Sequence, residues 1–289
     1  MAKTRKVHPA WIAAAITWMT LVAAAGYRSA PSVLIVPLEE AFGWSRSQIS
    51  LAISVNILLY GLTAPFAAAL MERFTVRKVV MSALAAVSLG AFGTIFMNAP
   101  WQLVLLWGVV VGVGTGSMAL VFAATIASRW FLQRRGLVTG ALTAAAATGQ
   151  LVFLPALSSI AMNHGWKSVS ITIAVAAAAV IPLIWWGLNE DPVAIGAKPY
   201  GAPEDWQAPV KLQGNAARNA IDALKNGAKI KDFWLLFGTF FVCGLTTNGL
   251  IGTHFIPAAH DHGMGEVVAA SLLALIGDRK STRLNSSHT

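Results

Sequence analysis

Residues 11–36, WIAAAITWMTLVAAAGYRSAPSVLIV, form an apolar run with one charge, Arg28, well inside it. A helix needs about 20 such residues to cross the hydrocarbon core of a bilayer, so the run reads as a transmembrane span. An Arg near the middle of a span costs about 2.5–3.5 kcal/mol on insertion scales. It is normally kept only where it faces a polar cavity, a pairing partner or a ligand. The stripe it belongs to, Ala24, Arg28 and Ser32 at four-residue spacing, is small and polar, with Thr17 further along, so the helix is expected to line a solute pathway. The other reading, in which a long Arg side chain snorkels to the surface, has to bridge the roughly 12 Å of helix between Arg28 and Val36.

The rest of the chain agrees with a membrane setting. It is 56% hydrophobic and 11% charged over 289 residues, outside the range of soluble domains. Further apolar runs cover 48–71, 79–97, 101–128, 137–162, 169–188 and 233–258. That makes seven spans with the first, and an all-α polytopic membrane protein. An eighth run begins at Val267 but meets Asp278 after about 16 Å of helix, too short to cross. Residues 278–289 are short, polar and basic and read as a non-native tail, with a natural truncation as the alternative. Cys243 is the single cysteine, so no intrachain disulfide forms and no thiolate metal cluster is expected.

Loop charges give the orientation, because Lys and Arg collect on the cytoplasmic side. One alternating set of loops holds Lys3, Arg5, Lys6, Arg73, Arg77, Lys78, Arg129, Arg134, Arg135 and the basic residues of the connection 189–232; the other set holds Arg46 and Lys167. The N-terminus and that connection are therefore expected in the cytoplasm. The net charge of +9 is accounted for by these loops and does not call for nucleic acid. The expected organisation is a six-helix bundle over 1–188, a linker over 189–232, an incomplete second bundle over 233–277 and the tail over 278–289. Within the linker, 216–229 reads either as an interfacial amphipathic helix or as a soluble one.

A shift of 220 residues supports two related bundles. It lays Val36, Pro37 and Gly43 on Ile256, Pro257 and Gly263, and Ala24, Arg28 and Ser32 on Gly244, Asn248 and Gly252. The first and seventh spans then occupy equivalent places in two parallel halves.

Three stretches carry a family resemblance. Glu72-Arg73-Phe74-Thr75-Val76-Arg77-Lys78 resembles the Asp-Arg-x-Gly-x-Arg-Lys signature of the major facilitator superfamily, departing from it at Glu72 and Thr75. The stretch 37–45, PLEEAFGWS, and the loop 130–136, WFLQRRG, with Gly140 are similar to the bacterial monocarboxylate-porter-like group of that superfamily. The resemblance covers about residues 11–277 of a chain shorter than such proteins. It implies a transporter in the bacterial inner membrane in which a basic residue near Arg28 receives a carboxylate substrate. It also implies a cytoplasmic gate of Glu72, Arg73, Arg77, Lys78, Arg134 and Arg135 that pairs with helix ends and breaks during the conformational cycle. The family has further helices, so this chain alone is not expected to complete a gated pathway.

Around Arg28 the candidate substrate contacts are Asn56, Tyr60, Gln150, Asn248 and His254. Asn56 and Tyr60 share a helix face with Thr63, and Gln150 shares one with Thr139 and Thr143; each stripe also fits interhelical hydrogen bonding. His254 fits either a proton-carrying or a structural role. The glycines at 108, 112, 114 and 116 lie inside a span with no strand before them, which points to close helix packing and not to a dinucleotide site.

The expected partners are a small organic anion and the lipid bilayer. Neither a cofactor nor a metal is expected. Proton coupling, exchange and facilitated diffusion all fit, and a proton-carrying carboxylate inside the membrane is expected outside this chain, because the first six spans hold no Asp or Glu away from their ends. No nucleophile with a base and no carboxylate pair lies within the spans, which argues against an enzyme. A membrane receptor that binds the solute without moving it is the alternative.

Overall fold

The computed structural model describes residues 8–118, 120–208 and 216–286. Helix α1, Pro9–Phe42, opens with the His8 side chain accepting from the Ala10 amide and with proline in its first turn, where a missing N–H is harmless. It closes at Gly43, whose left-handed φ of 65° lets its N–H return to the Glu39 carbonyl at 2.8 Å. Two residues later Ser45 caps α2, Arg46–Phe74, in a reciprocal capping box with Gln48. This short turn is what holds Glu39 and Arg46 side by side.

Helix α3 is Val76–Thr94. The next membrane-length segment, α4, runs Pro100–Trp130 and contains a π-helical stretch, Val104–Val111. Helix α5, Arg135–Gly187, has 53 residues, about 80 Å if straight. It is broken at Gly165 (φ 77°, ψ 172°), a conformation open to glycine. Both arms return to α1, since Gly149 in the first arm and Gly187 in the second press against it at Val22 and Ile16. Among the described residues six helices are long and apolar enough to cross a membrane, and the break in α5 turns one of them into two crossings. The segments therefore match the seven predicted spans.

Beyond α5 come a 3₁₀ turn at Pro192–Ile195, helix α6 at Ala216–Gly227, helix α7 at Lys231–Asp261 and helix α8 at Glu266–Ser286. Helix α6 lies against α2. The α8 helix continues past Asp278 through most of the segment read as a tail, because no proline stops it there. Helix α7 also holds a π-helical stretch, Gly244–Ile251.

The core lies inside the first six crossings, where α1 packs on both arms of α5, and α3 is pinned to the second arm by Thr94 to Ser170 (3.0 Å) and Ser88 to the Ala174 carbonyl (2.9 Å). The predicted glycine packing is visible in detail. A Cβ on Gly108, Gly112 or Gly116 of α4 would stand 3.1, 3.1 and 2.8 Å from backbone oxygens of Ala52, Asn56 and Tyr60, one per turn of α2. In a membrane, where lipid is as apolar as leucine, such backbone approach supplies the packing that holds helices together. Helices α7 and α8 meet the first six crossings along two seams, α1 with α7 and α5 with α8. None of the apolar window of α7 is buried, against 22–53% in the other membrane-length helices, so α7 approaches the first bundle from an open side.

Candidate functional site

Arg28 sits half-buried on α1 where that helix faces both α2 and α7. Its Nη1 donates to the Tyr60 hydroxyl at 3.0 Å, and its guanidinium carbon lies 4.9 Å from the centre of the Tyr60 ring. Its Nη2 donates to Asn248 Oδ1 at 3.1 Å. Residues 28 and 248, the pair that the 220-residue shift superposes, are thus in contact across the seam between the halves. Asn248 is carried on the π-helical stretch of α7, where Thr253 Oγ1 donates to the Asn248 carbonyl at 2.9 Å. Such bulges turn side chains off the regular helical register and are frequent at functional sites. Tyr60 is held at its depth by Gly116, which lets α4 touch the Tyr60 backbone.

All the partners of Arg28 are neutral. Among the described residues no carboxylate lies within 4 Å of its guanidinium. A guanidinium has five N–H donors, and the two hydrogen bonds described leave others pointing at no protein acceptor among those residues. Hydrogen bonds to a charged group and the ring contact each return about 0.5–3 kcal/mol, comparable with the insertion cost but without neutralising the charge. The site is a positive charge oriented by neutral groups and open on the side of α7, where Asn248 is exposed. Chemically it suits an anion, and a planar carboxylate in particular, through paired charge-assisted hydrogen bonds.

The other predicted contacts are not gathered there. Asn56 is buried, and its amide donates to the Trp107 carbonyl at 2.7 Å, inside the π-helical stretch of α4 where a backbone acceptor is left over. Gln150 and His254 are half-buried, and neither makes a side-chain hydrogen bond among the described residues.

Of the predicted gate residues, Arg77 reaches a helix end. Its Nη1 donates to the Trp185 carbonyl at 3.1 Å near the end of α5, its guanidinium lies over the Trp185 ring at 5.4 Å, and its amide donates to Glu190 Oε1 at 3.3 Å. Arg73 lies over Phe74. Glu72, Lys78, Arg134 and Arg135 are exposed and form no ion pair among the described residues. The ion pairs at this end come from residues the sequence did not single out for a gate: Arg129 Nη1 is 3.4 Å from Asp191 and 4.0 Å from Glu190. These bonds tie α3, α4 and the end of α5 within one bundle.

At the opposite end the structure holds a second cluster that was not anticipated. Arg46 Nε donates to both Glu39 oxygens at 2.9 and 3.1 Å, and its Nη2 donates to Asp261 Oδ1 at 2.8 Å. This triad joins the α1–α2 turn to the last residue of α7 and so bridges the two bundles. Its partners are 215 residues apart, which hides the pairing from sequence reading. No group of three or more His, Cys, Asp or Glu residues that suits a metal occurs among the described residues.

The model of the family described as the Major Facilitator Superfamily matches residues 16–277. The chain belongs to the Major Facilitator Superfamily. Similar relatives include the uncharacterized MFS-type transporter YcxA of Bacillus subtilis, 27% identical over 92% of this chain and 63% of YcxA. Human monocarboxylate transporter 2 is 24% identical over 96% of this chain and 60% of its own length, and the gallate transporter of Pseudomonas putida 27% over 71% and 47%. The chain thus spans about three fifths of the first two of these superfamily relatives. The xylose transporter XylE of E. coli, in a partially occluded inward-open structure, superposes with a TM-score of 0.68 at 14% identity, covering 95% of this chain and 71% of XylE. The superfamily fold is therefore shared over nearly the whole chain, and membership in a family of transporters sets it apart from enzymes.

Proposed function

We propose that this chain serves transport of small organic anions of the monocarboxylate kind by alternating access, with Arg28 as the anion contact. The observation that carries the reading is the Arg28 guanidinium, held by Tyr60 and Asn248 where the two bundles meet and paired with no carboxylate among the described residues. A solute carboxylate docking there touches α1, α2 and α7 together, so its binding energy acts on the relation between the halves, as an alternating-access cycle needs. Gallate and monocarboxylates, the solutes in the names of the relatives, share that carboxylate.

The reading takes the Arg129 end as cytoplasmic and the Arg46 end as external, in a bacterial plasma membrane. Arg77 with the Trp185 carbonyl, and Arg129 with Glu190 and Asp191, then hold the cytoplasmic end of the first bundle, with Glu72, Arg73, Lys78, Arg134 and Arg135 as exposed charges available to the other half. Gln150 and His254 are kept as lesser contacts.

Counterflow in proteoliposomes tests this. Vesicles preloaded with an unlabelled monocarboxylate and carrying this sequence completed by the remaining helices of a full-length superfamily relative should accumulate the labelled solute transiently. Saturable binding without counterflow would instead favour a solute receptor.

A further inference from the structure

Glu266 opens α8 at the end of the molecule that carries the Arg46 triad, just ahead of the apolar run that starts at Val267. Its residue exposure is only 6%, and its Oε2 is fully buried with no hydrogen-bond partner among the described residues. It lies where α8 packs on α5 and α7, a seam between the two bundles. A carboxylate in the first turn of a helix is ordinarily exposed and solvated, with the helix dipole favouring its charge. Here most of the side chain and one carboxylate oxygen are taken out of water without a cation to pair with, and the penalty for burying an unpaired charge outweighs a single helix end.

The groups around it do not supply that cation. From α1 the near charge is Glu40, exposed and negative; from α7 it is His260. Helix α5 carries His164 and Lys167 beside its Gly165 break, both exposed. Arg46 is engaged by Glu39 and Asp261. Burial raises the Glu266 carboxyl above the ordinary range, with His260 opposing the shift and Glu40 adding to it.

We propose that Glu266 is a proton-binding site of the gate at the Arg46 end, taking up one proton as that end closes and giving it back when the end opens. The O–H bond formed on closure uses a proton from the aqueous side, and no other bond changes. The inference rests on the alternating-access reading but not on the identity of the solute.

The sign follows from linkage. The closed state holds the proton more tightly than the open, solvated state. Below the ordinary carboxyl range both states are protonated and pH has no effect. As pH rises through that range toward the raised closed-state value, the closed-to-open ratio falls by up to about tenfold per pH unit. The Arg46–Asp261 pair contributes nothing to this between pH 5 and 8, since an exposed, ion-paired carboxylate keeps its charge there.

The test is the distance between spin labels at Ser47 and Met264, both exposed on opposite sides of this seam, in a Cys243→Ser background of the full chain reconstituted in bilayers. The short-distance fraction should fall as pH is raised upward from the ordinary carboxyl range. Glu266→Gln should abolish the response, Glu266→Asp should keep it, and His260→Gln should keep it, although histidine ordinarily titrates just above that range. A response that survives in Glu266→Gln, or is lost equally in His260→Gln, overturns the site. Two populations whose ratio ignores pH overturn the proton site alone; a single unchanging population overturns it together with alternating access.

Discussion

At the residue scale the question is what a positive charge does inside a membrane protein when nothing nearby cancels it. Arg28 was legible from sequence because a lone charge in an apolar run is costly, and that cost does not depend on knowing the partners. Tyr60 and Asn248 were legible for weaker reasons, a shared helix face and a repeat register, and the structure brings both to the guanidinium. Asn56 stood on the same face as Tyr60 yet is spent on the Trp107 carbonyl, because a π-helical turn leaves a backbone acceptor unpaired, and periodicity carries no sign of such a turn. The neutrality of the site yields a prediction that separates anion binding from a structural role. Asn248→Asp puts a carboxylate where the amide now accepts from Arg28. It should leave the unfolding temperature unchanged or slightly raised through a new exposed ion pair, while weakening anion affinity by about 100-fold, since a like charge placed beside the docking anion costs several kcal/mol. Differential scanning fluorimetry and ligand titration on the same sample read the two effects; unchanged affinity would mean that Arg28 does not meet the solute.

At the scale of elements the glycines decide how closely α2 and α4 approach, and so the depth at which Tyr60 stands. Gly112→Val forces side-chain atoms into the Asn56 backbone and should lower stability by about 1–3 kcal/mol, the usual cost of overpacking. Gly136, in the loop-proximal start of α5, has nothing within 4 Å of a Cβ, so Gly136→Ala should be neutral or stabilising by about 0.5–1 kcal/mol, as expected for glycine replaced within a helix. Thermal unfolding in detergent compares the two directly. The opposite pattern would mean that the glycine stripe does not set this interface. The two short turns also repay attention: Gly43 with the Ser45–Gln48 box, and Gly165, were present in the sequence as glycine and capping residues. What they position was not, since Arg46 meets Asp261 only after the second bundle is in place.

At the scale of the molecule, membrane class and the seven crossings were readable because hydropathy and segment length respond to the bilayer and not to tertiary detail. The ion pairs at either end and buried Glu266 were not, because each depends on side chains brought together from distant helices, and a glutamate at a helix start looks like an ordinary solvated residue. The loop charges predict the topology itself. In cells expressing single-cysteine variants free of Cys243, an impermeant maleimide should label Ser47→Cys from outside and leave Arg134→Cys unlabelled until the cells are opened; the reverse would invert the orientation. The account as a whole rests on Arg28 as the anion contact, and equilibrium binding of a labelled monocarboxylate to the purified chain tests this most directly. Saturable binding should fall by about 100-fold or more in Arg28→Gln while Lys229→Gln keeps wild-type affinity, and equal affinity in Arg28→Gln and the wild type would contradict the account.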